Sequence, residues 1–115
     1  MNPVEIAAAI REITDRLERS AQIIAKAYET YLGAKREYTI GLASARQEFR
    51  TEGSSYNDAT DKAQVSAQSL WLRMDDADVT YKYSRDLADA LEKKLSGLQT
   101  EARLILQAYN VAGVG

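Results

Sequence analysis

The chain has neither cysteine nor histidine in its 115 residues. Without thiolates there is no disulfide framework and no cysteine-ligated zinc site, and without imidazole the commonest metal ligand and the usual general base are both missing. Proline occurs once, at position 3, so nothing later in the sequence forbids a long uninterrupted helix. The longest strictly apolar stretch, Ala7 to Ile10, is far short of the roughly 20 residues that a membrane-spanning helix needs. Neither sign of charge is in excess: 15 basic against 17 acidic residues leave a net −2. That balance gives no global attraction to nucleic acid or anionic lipid, so any polyanion site has to be a local patch. The start, Met1-Asn2-Pro3-Val4-Glu5, lacks the basic stretch and apolar core of a signal peptide. These absences predict a soluble, unprocessed, cytoplasmic protein of one domain, with no disulfide, metal or cofactor and no membrane partner.

What is present is dominated by two runs of apolar or small residues at unbroken 4-3 spacing. The first begins Ile6, Ile10, Ile13, Leu17 and continues through Ser20, Ile24, Ala27, Tyr31, Ala34, Tyr38 and Gly41 to Ala45. The second runs Ala63, Ala67, Leu70, Met74, Ala77, Tyr81, Ser84, Ala88, Leu91, Leu95, Leu98, Ala102, Ile105, Tyr109. Neither contains a charged residue, and the spacing is that of the buried seam of a coiled-coil helix. Asn2 is placed to cap a helix that has Pro3 in its first turn and Glu5 near its positive end, which predicts helix 1 over about 3–50. Thr51-Glu52-Gly53-Ser54-Ser55 then favours a turn at about 51–55. Ser55 with Asp58 three residues on resembles a capping box, and helix 2 is predicted over about 56–110, followed by a frayed tail at 111–115.

So short a connection makes the two helices antiparallel neighbours. A turn centred near Ser54 sets Ala34 against Met74, Tyr31 against Ala77 and Ala27 against Tyr81, large residues facing small ones as close packing requires. The same register sets Leu17 against Leu91, and the seam loses bulk at Ser20, Ser84 and Ala88. The expected fold is all-α: a single domain over 1–115 built as a long antiparallel two-helix coiled-coil hairpin.

A hairpin of this length has little interior, because each helix hides only one side against its partner. Helix 2 is apolar on a second side. Val65, Leu72 and Val79 recur every seven residues opposite the seam, with Tyr83 and Ala90 beside them and Trp71 on the flank. Helix 1 instead carries Glu5, Glu12, Asp15, Arg19, Gln22, Lys26, Glu29 and Arg36 as a continuous polar back, the pattern of a solvated surface. Single exposed aliphatics are normal, but a regular stripe makes a patch. Hairpins are therefore expected to pack through helix 2 into a helical homo-oligomer, cyclic or dimeric, with Val65, Leu72, Val79, Tyr83 and Trp71 at the interface.

Candidate chemistry is sparse. Asp75, Asp76 and Asp78 form the densest acidic cluster, in which a hard cation could bridge neighbouring carboxylates. No other ligands converge there, and Asp78 stands four residues before Lys82, so a solvated, salt-bridged face is the preferred reading and no metal site is expected. Asp58 with Lys62, Asp89 with Lys93, Glu12 with Arg16 and Asp15 with Arg19 repeat that spacing, each pair contributing about 0.2–0.5 kcal/mol. No general base stands at a recognisable offset from a nucleophile and no glycine-rich phosphate loop is present, so no enzyme is expected. Gly33, Gly41 and Gly97 lie inside the predicted helices at roughly 1 kcal/mol each relative to alanine, and close helix approach is the expected reason.

Lys35, Arg36, Arg46, Arg50 and Lys62 concentrate on both sides of the turn, with Phe49, Tyr56 and Trp71 at the same end. Cations beside aromatic rings are what a single-stranded nucleic acid requires, phosphates being neutralised by the former and bases stacked on the latter. Lys35, Arg36, Arg46, Arg50, Lys62, Phe49 and Tyr56 are the candidate DNA-binding set. Glu37, Glu48, Glu52, Asp58 and Asp61 share the region and Phe49 continues an apolar edge begun by Leu42, which leaves a solvated mixed-charge turn as the competing reading.

Over roughly residues 34 to 100 the pattern resembles the small helical recombination mediator proteins of tailed phages, the UvsY type. The resemblance runs from Ala34-Lys35-Arg36 through Ala45-Arg46-Gln47-Glu48-Phe49-Arg50 and a short turn containing Gly53. It continues through Asp75-Asp76-Ala77-Asp78-Val79 and an Ala90-Leu91 helix to Ser96-Gly97. It lies in spacing and residue class. It implies an oligomer of helical subunits that binds single-stranded DNA and helps a strand-exchange recombinase displace the single-strand-binding protein, in the host cytoplasm if the chain is phage-encoded. Family DNA contacts come from basic residues on the helix before the turn, which correspond to Arg46 and Arg50 and then Lys35 and Arg36. The chain departs from the family in being net acidic and in lacking a more basic C-terminal helix. Small secreted helical hairpins with a Trp-x-Gly turn are set aside, because Trp71 is followed by Leu72 and Arg73 within a helix.

The function expected from these features is that of a non-catalytic phage DNA recombination accessory protein. Two alternatives stand beside it: an interaction protein that binds and inhibits a host or defence protein through Val65, Leu72, Val79 and Tyr83, and a structural coiled-coil assembly subunit.

Overall fold

A computed structural model describes residues 2–112, and these are all-helical. Helix α1 spans Pro3–Thr51, α2 Tyr56–Ser66 and α3 Gln68–Ala112, and among the described residues there is no strand. The start of α1 is closed reciprocally: the Glu5 backbone N–H donates to Asn2 Oδ1 at 2.8 Å and the Asn2 N–H donates to the Glu5 carboxylate at 3.3 Å. Two amides that have no partner inside the helix are thereby satisfied.

The end of α1 is a Schellman turn. The Gly53 N–H donates to the Arg50 carbonyl and the Ser54 N–H to that of Phe49, both at 3.0 Å, and Gly53 has φ +104. Only glycine adopts this left-handed conformation without a Cβ penalty, so the position of the turn is set by that residue. Ser55 then caps α2, its hydroxyl accepting the Asp58 N–H at 3.2 Å.

Three expectations about the elements need correction. Helix 2 is not one helix from 56 to 110. It is broken at Ala67, which has φ −92 and ψ 11. The hydrogen-bond ladder passes through the break, since the Ala67 N–H donates to the Ala63 carbonyl at 2.8 Å and the Trp71 N–H donates to that of Ala67 at 3.0 Å. The Leu70 N–H reaches the same Ala67 carbonyl at 3.1 Å, an i to i+3 contact that tightens one turn. The break falls where a row of buried alanines gives way to the larger Leu70. Second, residues 111 and 112 belong to α3, and the rest of the expected tail lies outside the described residues. Third, Tyr109 is not a seam residue: it is 74% exposed. Pro3 and Ile6, at the start of α1, already lie beside Ile105, so no residue of α1 remains to cover Tyr109.

The chain divides into two compact units. The first takes in the described residues up to Ile24 and from Ser84 onward. Its core is Ile13, Leu91 and Leu98, with Ala9, Ile10, Leu17 and Leu95 packed against them, and Ile6 is its most completely buried large side chain. Leu17 and Leu91 share this cluster, as their predicted facing positions require.

The second unit is Ala25–Tyr83. Here Tyr28 meets Tyr81 with ring centroids 5.0 Å apart, Glu37 meets Arg73 at 3.6 Å, and Leu70 lies over Gly41. Partners retreat along α3 as α1 advances, the order of antiparallel neighbours. Tyr81 meets Tyr28 rather than packing on the adjacent Ala27 alone, a small shift from the expected register. The buried side chains of this unit among the described residues are Ala59, Ala63 and Ala67, small enough for two backbones to come close. Apart from Tyr109, every residue of both 4-3 runs is buried or half-buried. Close approach accounts for only one of the three helical glycines, since a Cβ at Gly41 would run into Cδ1 of Leu70, whereas Gly33 and Gly97 have nothing within 4 Å.

Candidate functional site

The Schellman turn brings the last turns of α1 beside the first turns of α2, and the predicted basic and aromatic residues meet there in two pairs. The Arg46 guanidinium carbon lies 5.5 Å from the centre of the Tyr56 ring. Arg46 is half-buried, and its Nε has no hydrogen-bond partner among the described residues. Lys62 Nζ lies 5.8 Å from the centre of the Phe49 ring. It also contacts the Asp58 carboxylate at 3.1 Å and the Ser54 hydroxyl at 3.1 Å. Lys62 is thus engaged on three sides by its own chain, which lowers what it could offer to a ligand. Phe49, Asp61, Lys62, Val65 and Ser66 line a shallow apolar depression beside this pair.

Lys35 and Arg36 are exposed about three turns before Arg46 in α1 and, among the described residues, meet none of the rings. With Leu32, Thr39 and Ile40 they line a second depression, of about 220 Å³. Arg50 is exposed as well. At about 100° per residue, Lys35, Arg36, Arg46 and Arg50 fall within roughly 100° of one face of α1, while Glu37 and Glu48 fall on the other side. The cations that the sequence shows as a mixed-charge cluster are therefore sorted by the helix onto one side. Trp71, 44% exposed, makes no contact with these cations among the described residues.

The acidic cluster of α3 is arranged differently. Asp78 forms an ion pair with Lys82 at 2.9 Å, and this hydrogen bond, with the charge of Asp78, holds the Lys82 pKa above the ordinary lysine value. Asp75 and Asp76 are exposed. Among the described residues no group of acidic side chains is placed to hold a metal ion. Of the predicted i, i+4 pairs, Asp58 with Lys62 and Asp78 with Lys82 form. Asp89 with Lys93, Glu12 with Arg16 and Asp15 with Arg19 do not, their side chains being free to stay hydrated. The link between Arg73 and Glu37 has no local spacing that would announce it in the sequence.

The residues of the predicted interface are all uncovered by their own chain: Val65, Leu72, Val79, Tyr83 and Trp71 are exposed, Val65 by 76% and Leu72 by 47%. Ile40, 69% exposed, is an apolar surface residue that the sequence reading passed over. Its signal was an isoleucine next to, and not on, the 4-3 seam. No described helix is long and apolar enough to cross a membrane. No family model, no curated protein and no solved structure matches the chain.

Proposed function

We propose that the chain is a non-catalytic accessory protein that folds as an antiparallel coiled-coil hairpin, assembles as a homo-oligomer, and binds single-stranded nucleic acid near the turn. The observation that carries this reading is the sorting of Lys35, Arg36, Arg46 and Arg50 onto one face of α1, with Tyr56 under the Arg46 guanidinium. Phosphates would lie along the cations and bases would stack on exposed ring faces. A role in DNA recombination, with a recombinase or single-strand-binding protein as partner in the host cytoplasm, is what the resemblance to phage mediator proteins adds.

The second reading is a protein-binding or structural subunit, favoured by the exposed stripe of Val65, Leu72, Val79 and Tyr83. Titration of a fluorescent single-stranded oligonucleotide at low salt separates the two. Binding with an affinity that falls steeply with salt supports the first, because phosphate contacts release counterions. Replacing Arg46 and Arg50 together by alanine should weaken binding to all sequences alike and flatten the salt slope by about 2 units at most, one for each phosphate contact. Phe49→Ala should weaken binding and leave the slope nearly intact. No binding at tens of micromolar removes the nucleic-acid reading and leaves the protein-partner one.

A further inference from the structure

Two exposed faces of the second unit are complementary to each other in shape and in charge. On α1, Leu32, Lys35, Arg36 and Thr39 stand at i, i+3, i+4 and i+7 around one depression, with Ile40 at its rim. Four residues at those offsets are the hole into which a knob from a neighbouring helix fits in coiled-coil packing. Its walls are cationic, and among the described residues neither Lys35 nor Arg36 has an ion-pair partner on its own chain.

On α3, Leu72 and Val79 are 47% and 59% exposed and seven residues apart, the spacing of successive knobs. Asp75 and Asp76 lie between them and share their side of the helix, and among the described residues neither is held by an ion pair. Packing α3 stripe against α3 stripe would bring Asp75 and Asp76 of two copies together, and like charges across an interface are unfavourable. Packing α3 onto the α1 hole sets carboxylates against cations instead and covers Ile40 as well.

We infer that a second copy of this chain docks its Leu72 and Val79 ridge, with Asp75 and Asp76, onto the Leu32, Lys35, Arg36, Thr39 hole of the first. The contact is head-to-tail, so it builds a ring if the rotation closes and a filament if it does not. It goes beyond the nucleic-acid reading. It rests on the homo-oligomer of that reading and covers Lys35 and Arg36, which leaves Arg46 and Arg50 to a strand; its test contains no nucleic acid, so strand binding and this contact are read separately.

The test is a charge exchange read by light scattering and sedimentation, one chain being 12.8 kDa. One variant carries Asp75→Lys with Asp76→Lys, the other Lys35→Asp with Arg36→Asp. All four sites are exposed, and helix content measured by circular dichroism verifies that each variant is folded. The wild type is expected to exceed the mass of one chain at tens of micromolar, each variant alone to fall to that mass, and an equimolar mixture to recover the assembled mass. Recovery follows because each copy then meets a partner of opposite sign on both of its faces. A monomeric wild type overturns the inference. So does a Lys35→Asp, Arg36→Asp variant that keeps wild-type size, as α3-to-α3 packing would require, and so does a mixture that stays dissociated.

Discussion

A methyl group at Gly41 would meet Cδ1 of Leu70, whereas at Gly33 and Gly97 it would meet nothing within 4 Å. Replacing glycine by alanine inside a helix gains about 0.5–1 kcal/mol where the space is free. Gly33→Ala and Gly97→Ala should therefore each raise the melting temperature by a few degrees, while Gly41→Ala should gain less than either, because the end of Leu70 has to turn aside. Thermal melts of the three variants check the order. The sequence offered one reason for all three glycines. What separates them is the position of one leucine on another helix, and no local pattern carries that. Lys82 gives a pH prediction at the same scale. Its pKa is raised by Asp78, so the support the pair gives is complete below the ordinary lysine value of about 10.4 and is lost as pH rises through the higher folded value. Asp78→Asn should remove that alkaline dependence and leave stability between neutrality and pH 9 without a new slope.

Among the elements, the difference between seam and stripe is a difference in what surrounds a side chain. Leu91 is 6% exposed and packed among Ile13 and Leu98, and Leu72 is 47% exposed. Leu91→Asp places an unpaired carboxylate in the core of the first unit and should cost several kcal/mol, roughly 3–5, lowering the denaturant midpoint sharply. Leu72→Asp should leave helix content and midpoint nearly unchanged and alter only association. Which positions are buried or half-buried was legible because 4-3 spacing needs nothing but the sequence, and that pattern fails only at Tyr109, where α1 has run out. The turn was legible through Gly53. The break at Ala67 was not: alanine is the best helix former, and no glycine or proline marks the place.

For the whole molecule, helical arithmetic on the sequence is enough to find the faces and not enough to find their occupants. The basic residues around the turn could be named, but Lys62 proves to be held by Asp58 and Ser54, and Arg46 is half-buried against Tyr56. Their free partners, Lys35, Arg36 and Arg50, could not be told apart from them by residue type. Because Arg46 and Tyr56 are in contact, their effects on strand binding should be non-additive. Single and double alanine variants, each at unchanged oligomer size, should show a double variant weaker than wild type by less than the product of the single effects.

Among the described residues, the buried ones of the second unit are alanines, at 59, 63 and 67, where the first has Ile6, Ile13, Leu91 and Leu98 beside Ala88. Burying an alanine methyl stabilises by about 0.8 kcal/mol, against about 1.5–3 kcal/mol for a leucine or isoleucine side chain. Burial of such small groups anchors a helix weakly: the buried residues of α2 are Ala59 and Ala63 alone, while Tyr56 and Val65 are exposed, so little side-chain volume resists its opening. Its amides should exchange with deuterated solvent through frequent local opening, at least tenfold faster than those around Leu91 and Leu98.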